Sequence, residues 1–186
     1  GGAFADSGKP LNAFYVGALF GQSSIDTGID NVVGATLEEE DRAYSFFIGS
    51  EVAENVSVEA FYSNFGEASL LGQNGDTYRL AGEAVVLNSD SSVKVAGKSM
   101  GIAAKLGFDI TDKFRGFVKG GWHFWDADLN LVDATETVSE TDGGNDLVLG
   151  LGIEYDFNKD LAFIVGYDRY KLDGDNIDVD VDFLHA

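Results

Sequence analysis

Side-chain character alternates with a period of two residues along most of this 186-residue chain. The clearest example runs from Leu147 to Phe157, where every odd position is large and mostly aliphatic or aromatic. The even positions are occupied by Val148, Gly150, Gly152, Glu154 and Asp156. A helix would scatter the large side chains around its axis, whereas a strand places them all on one side. The pattern therefore predicts a β-strand and, because it recurs, an all-β chain.

Eight segments carry this alternation with varying clarity. They are residues 14–21, 44–52, 56–63, 101–109, 118–124, 147–157, 161–168 and 178–186, and the phase of the last one is unclear. The second face is mostly Gly, Ala and Ser with isolated charges, which suits the crowded interior of a narrow barrel whose large apolar face meets lipid. A soluble lipocalin-type barrel, the remote alternative, would place its large apolar side chains inside.

The connections alternate between short and long. Residues 53–55, 111–113 and 158–160 are expected to be tight turns, and 24–41, 66–97, 127–144 and 173–177 to be longer polar loops. Short turns at one end and long loops at the other are typical of outer-membrane barrels. Aromatic residues near strand ends suggest interfacial girdles: Phe14, Tyr15, Trp122, Phe124, Trp125, Tyr155, Phe157, Tyr167 and Tyr170.

Composition narrows the function further. The chain has no Cys, a single Met and a formal net charge of −20, which argues against thiolate metal sites and nucleic-acid binding. No phosphate loop, metal cluster or catalytic triad is visible, so no enzyme activity, cofactor or metal is predicted. Residues 1–5 end in Ala-Phe-Ala and are interpreted as the remnant of a signal peptide, which leaves 6–186 as the barrel domain.

Several segments resemble the OmpA family. Residues 104–114 (AKLGFDITDKF) with 117–122 (FVKGGW) are similar to its fourth-to-fifth strand hairpin, and 152–161 (GIEYDFNKDL) to its sixth-to-seventh. Residues 14–18 (FYVGA) resemble its first strand. The resemblance implies an eight-stranded, antiparallel, up-and-down transmembrane barrel in the outer membrane. It also implies a structural role in envelope integrity or adhesion, or slow passage of small solutes. Family barrels usually end on an aromatic residue, so the last strand is expected to be truncated here.

A charged cluster in the lumen is the first candidate site. Glu59, Lys105, Lys119 and Glu154 lie on the inward face of four consecutive strands and correspond to the interior ionic cluster of the family. Unpaired, each charge would cost several kcal/mol in a low-dielectric interior. The cluster is interpreted either as a plug that fixes strand register or as a gate that re-pairs to pass small solutes.

Acidic loops are the second candidate. Residues 24–41 contain six acids and residues 127–144 contain five, with no base in either segment. The expected partners are outer-membrane lipid and lipopolysaccharide, with divalent cations screening the acids, and the chain is expected to be monomeric. Residues 173–178 faintly resemble a calcium loop but lack its final Glu, so an acidic turn is favoured.

His123 is the one residue that could suggest catalysis. It lies between aromatic residues with an inward phase, and no Ser or acid is identified as its partner. A packed, hydrogen-bonded histidine is therefore favoured over a lipid-modifying active site.

Overall fold

A computed structural model describes residues 13–26, 29–33, 36–38, 40–80, 83–86, 90–132, 137–174 and 178–186. These ranges contain twelve strands and no helix able to cross a membrane. The strands are β1 (Phe14–Asp26), β2 (Ile29–Val33), β3 (Thr36–Glu38), β4 (Glu40–Ala53), β5 (Val56–Gly72), β6 (Thr77–Leu80), β7 (Glu83–Val86), β8 (Ser91–Asp109), β9 (Phe114–Val132), β10 (Thr137–Asn158), β11 (Leu161–Asp173) and β12 (Asp178–His185).

Eight of these strands close into an antiparallel ring, which confirms the predicted fold class. The order around the ring is β1, β4, β5, β8, β9, β10, β11, β12 and back to β1. The closing seam pairs residues 21–26 of β1 with residues 180–185 of β12. Phe20 and Ala186 extend it by exchanging two backbone hydrogen bonds of 2.9 Å.

The loops predicted at 24–41, 66–97 and 127–144 prove to be largely strand within the described residues. β5 continues to Gly72, β8 begins at Ser91, and the β9–β10 ladder pairs Val132 with Thr137. Polar side chains bond across this ladder, as Thr141 does to Asp128 at 2.8 Å. The β10 side of the ladder, from Thr137 to Asp146, carries no alternation of apolar residues. The upper parts of β5, β8, β9 and β10, here called the protruding sheet, comprise residues 66–72, 91–97, 127–132 and 137–146. β2, β6 and β7 form a separate small sheet.

The outer surface of the ring carries the large apolar side chains, in the phase predicted from the sequence. Val16 is 77% exposed, Trp122 66% and Leu149 61%, although all three are paired within ladders of the ring. Neighbouring inward residues are buried, with Val148 at 0% and Glu154 at 2%. This arrangement is the inverse of a lipocalin-type cup and leaves the exterior suited to acyl chains.

Three residues assigned to the aromatic girdles point inward instead. Trp125 and Tyr170 are 2% and 1% exposed inside the barrel, and Tyr15 donates a hydrogen bond to Glu59 at 2.9 Å. Proximity to a strand end does not reveal the face on which an aromatic lies, and the period-two phase does. Phe14, Trp122, Phe124 and Phe157 are exposed on the outside, as expected of a girdle.

The apolar core lies inside the barrel, at the end opposite the tight turns. Its buried members are Leu19, Ile25, Ala43, Phe65, Ala68, Trp125, Ala127, Val148, Tyr170, Leu172, Val181 and Phe183. β12 supplies Val181 and Phe183, so the face that it turns inward is established and its unclear sequence phase is resolved. Nearer the turns the inward face changes to Gly, Ser and charged residues, which places the candidate site below this core.

Candidate functional site: the charged lumen

Lys105 is the centre of a buried ionic group near the turn end of the lumen. Its Nζ lies 3.2 Å from Glu59 Oε1 and 3.3 Å from Glu154 Oε2. All three side chains are at most 8% exposed. The ammonium also lies over the rings of Phe117 and Tyr15, 4.9 and 5.3 Å from their centroids. One cation thus bridges β5, β8 and β10 while its charge is partly shared with two aromatic faces.

Lys119 does not join this group, although the sequence placed it there. In the β8–β9 ladder it lies directly opposite Lys105, and like charges opposite each other repel. Its Nζ contacts Asp168 Oδ2 at 2.6 Å, and His185 Nε2 lies 3.2 Å from the same oxygen. The four predicted residues are therefore divided between two ionic groups on one inner surface.

A glycine makes room for the second group. A Cβ on Gly150 would lie 2.0 Å from Asp168 Oδ1 and 2.8 Å from the Lys119 chain. Gly150 pairs with Lys119 on one side and with Asp168 on the other, so the absent side chain is what lets the two charges meet across β10. Any larger residue at this position would have to separate them.

A polar network separates the charged layer from the aromatic core. Ser63 Oγ contacts Ser45 Oγ at 2.9 Å and the Tyr170 hydroxyl at 3.1 Å, which links β5 to β11 across the lumen. Phe65 packs against Tyr170 with a centroid distance of 4.7 Å and an angle of 58° between the rings. These contacts hold large side chains across the middle of the barrel at this level.

His123 has a serine partner that the sequence did not reveal. Its Nδ1 lies 2.7 Å from Ser99 Oγ, and its Nε2 donates to the Lys171 carbonyl at 3.0 Å. The sequence does not reveal this partner, because Ser99 and His123 lie on different strands and meet only through the β8–β9 register. The pair is 2% and 0% exposed, so it has no open path to a lipid or solute. Both ring nitrogens are occupied, as expected of a structural histidine.

Asp168 and His185 are the site residues that sequence reasoning missed. Asp168 shares the inward phase of Gly166, a signal that could have identified it, whereas His185 lies on the strand of unclear phase. Within the described ranges, no group of three or more His, Cys, Asp or Glu side chains is arranged to hold a metal ion. The calcium-like segment lies partly outside the described residues.

The acidic surface is described only in part. Asp41 accepts backbone hydrogen bonds from Arg42 at 2.7 Å and Glu67 at 2.9 Å, so it stabilises the base of the protruding sheet. Lys94 pairs with Glu67 at 2.9 Å on the exposed face of the same sheet. Asp41 and Glu67 therefore have local structural partners.

Comparison with known proteins identifies the family. A family model described as the OmpA-like transmembrane domain matches residues 9–181. The crystal structure of Ail, the attachment invasion locus protein of Yersinia pestis, is 15% identical with a TM-score of 0.52, covering 94% of this chain and 95% of that one. The structure of Ail in complex with the heparin analogue sucrose octasulfate is 14% identical with a TM-score of 0.51, covering 94% of this chain and 95% of that one. The crystal structure of the outer membrane protein OprG from Pseudomonas aeruginosa is 11% identical with a TM-score of 0.52, covering 96% of both chains.

A search of curated protein sequences found no match. The structural likenesses establish the eight-stranded fold, and the family match covers nearly the whole chain. Members of this family are membrane barrels without enzymatic activity. The chain belongs to the OmpA-like transmembrane domain family and is an outer-membrane β-barrel.

Proposed function

We propose that this barrel is structural: a closed, stable support that presents an acidic surface outside the cell for envelope integrity or adhesion. The observation that carries the proposal is the filled lumen. The ionic groups around Lys105 and Lys119 occupy the lower half, and Phe65, Trp125, Tyr170 and Phe183 fill the upper half. An eight-stranded barrel has an interior barely wide enough for its own side chains, and two stacked layers of them favour a plug.

Adhesion is the finer part of the proposal, and the protruding sheet supports it. The sheet extends the barrel wall on one side, and the described part of β10 in it holds Glu140, Asp142 and Asp146 without a base. Ail is named for attachment and invasion and has been crystallised with a heparin analogue. A chain of net charge −20 is unsuited to such a polyanion, so any adhesive ligand here would be basic or bridged by divalent cations.

A small-solute channel is the second candidate. Lys105 has two acceptors at nearly equal distances, Glu59 at 3.2 Å and Glu154 at 3.3 Å. A cation poised between two carboxylates could shift from one to the other at little cost in energy, which is the property a gate needs. The aromatic layer above it would also have to open, and this favours the plug.

Conductance in planar bilayers separates the two candidates. For a plug, the parent and Lys105→Ala both remain at background conductance, while Lys105→Ala is less stable. For a gate, Lys105→Ala raises the single-channel conductance. Lys98→Ala is the matched control, because Lys98 lies on the same strand but faces outward and is exposed. Discrete openings in the parent protein at neutral pH would overturn the structural proposal.

A cell-based assay tests the envelope role. Cells lacking the protein are compared with cells expressing it for detergent sensitivity and for binding to surfaces coated with basic proteins. Restoration of both by the parent supports the proposal. Equal behaviour with and without the protein in both assays would contradict it.

A further inference from the structure

One buried carboxylate near the turn end of the lumen has no basic partner. Glu51 lies on the inner face of β4, two residues before the strand ends at Ala53, and is 6% exposed. Its backbone N–H donates to the Ala13 carbonyl at 3.3 Å. In the ranges that the structure describes, no base forms an ion pair with its carboxylate and no donor forms a hydrogen bond with it. A buried charge without such a partner is costly, so this position calls for a positive charge from elsewhere.

The contrast with the other buried acids is sharp. Four acidic side chains are buried in the described part of the barrel, and three of them have a base. Glu59 and Glu154 share Lys105, and Asp168 contacts Lys119 at 2.6 Å. Glu51 is the exception, although it faces the same lumen.

The inward-facing bases at the turn end are already used. Lys105 lies between its two acceptors, 3.2 and 3.3 Å away. Arg115 Nε donates to Asp109 at 3.1 Å, and Arg115 lies opposite Glu154 in the β9–β10 ladder. A shift of either base toward Glu51 would therefore take it away from another carboxylate.

Neutral oxygen atoms lie near the Glu51 carboxylate. Ser57 lies directly opposite Glu51 in the β4–β5 ladder and is 3% exposed. The Tyr15 side chain crosses the inner face of β4 at Gly49, where a Cβ would lie 2.5 Å from the hydroxyl oxygen. That hydroxyl interacts with both Ser57 and Glu51, and it donates to Glu59 at 2.9 Å. One carboxylate and two hydroxyl groups therefore share this corner of the lumen.

The chemistry of the corner selects one class of ligand. Carboxylate and hydroxyl oxygens are hard ligands, which suit hard cations and not soft metals. One unpaired negative charge is neutralised by one positive charge. A divalent ion would leave an excess of positive charge beside Lys105, and no group of three or more acids within the described residues is arranged to hold one.

We propose that Glu51, Tyr15 and Ser57 form a binding site for a small monovalent cation, such as Na⁺ or K⁺, at the turn end of the lumen. The cation supplies the positive charge that the described chain does not place beside Glu51. It ties β1, β4 and β5 together next to the ionic group of Lys105. The site goes beyond the proposed structural role and depends neither on adhesion nor on closure of the lumen.

The stability of the full chain in lipid vesicles tests the proposal. Urea unfolding is compared in NaCl and in N-methylglucamine chloride at equal concentrations, since the organic cation screens charge but is too bulky to fit between the three side chains. A ligand that binds only the folded state raises the folding constant about tenfold when its concentration is about ten times Kd. The urea midpoint should therefore rise and saturate with NaCl but not with N-methylglucamine chloride. Equal midpoints in the two salts at every concentration would overturn the proposal.

Glu51→Gln locates the effect. It keeps the size of the side chain and removes its charge, so the specific stabilisation by sodium should be lost. Glu54→Gln is the matched control, because Glu54 is an exposed acid in the same tight turn, and this variant should keep the sodium response of the parent. A full sodium response in Glu51→Gln would show that the ion acts elsewhere on this acidic chain, and the proposed site would be wrong.

Thallium(I) gives an independent test, because it is a monovalent cation with strong anomalous scattering. Crystals of the parent soaked in a thallium salt should show an anomalous peak in contact with the Glu51 carboxylate, and crystals of Glu51→Gln should not. A parent crystal without this peak would overturn the proposal. Stabilisation that depends on Glu51 but is produced by Mg²⁺ and not by Na⁺ would contradict the assignment to a monovalent cation.

Discussion

The lower and upper halves of the lumen are both filled by side chains, but the chemistry of those side chains differs. Below, Lys105 and Lys119 are buried with three carboxylates in ionic groups that need every member. Above, Phe65, Trp125 and Tyr170 pack by shape, with hydroxyl contacts at their margins. Loss of one partner leaves a buried charge in the lower half but only a cavity or an unpaired hydroxyl in the upper half. The lower half should therefore be far less tolerant of single substitutions.

Lys105→Ala should have the largest effect. It removes the cation shared by Glu59 and Glu154, and breaking a buried pair in this way typically costs about 3–5 kcal/mol. Urea unfolding in lipid vesicles, followed by tryptophan fluorescence, measures the loss. The triple change Lys105→Met, Glu59→Gln, Glu154→Gln removes the charges together and should recover most of it. Parent-like stability of Lys105→Ala would mean that the ionic layer contributes nothing.

Leu151→Arg tests whether the outer face of the barrel meets lipid at the level where the lumen is filled. Leu151 is 57% exposed on the outer face, and a charge near the bilayer midplane costs about 2–4 kcal/mol. Leu71→Arg is the control, because Leu71 is 49% exposed on the protruding sheet, where the charge meets water. The same unfolding assay should separate the two variants. Equal losses of stability in the two variants would contradict either the position of the membrane band or the outward orientation of Leu151.

Tyr170→Phe should have the smallest effect. It keeps the ring against Phe65 and removes the hydroxyl contact with Ser63, a change of about 1 kcal/mol. Paired measurements with Ser63→Ala in a double-mutant cycle should give a coupling of similar size. If Tyr170→Phe proved as damaging as Lys105→Ala, the upper layer would depend on polar bonds as much as the lower one does.

The sequence predicts the exterior of this protein better than its interior. Contact with lipid requires only that Leu149, Leu151 and their neighbours be apolar, so period-two phase alone identifies them. Pairing inside the lumen depends on stagger between strands, which places Lys119 opposite Lys105 and beside Asp168. That stagger is a relation between strands and cannot be read from the sequence of any one of them.

The protruding sheet shows the same limit of prediction from local sequence. Residues 137–146 lack apolar alternation because the outer face is exposed and the half-buried inner face carries Asp142, Gly144 and Asp146. A pattern based on burial therefore predicts a loop. The hydrogen-bond ladder to β9 defines the strand, and ladder partners are set by the hairpin as a whole. The inward position of Trp125 shows a related limit, because closeness to a strand end does not reveal the face on which an aromatic side chain lies.

The contacts across the lumen have a consequence for how long the folded barrel lasts. Ser63 and Tyr170 are 107 residues apart, and Lys105 and Glu154 are 49 apart on strands that are not neighbours. A sheet that has paired its adjacent strands but has not yet curled lacks both contacts, so they form late in assembly. Interactions absent from the folding transition state act on the unfolding rate and leave the folding rate nearly unchanged. Substitutions at these positions should therefore shorten the lifetime of the native barrel without slowing its insertion.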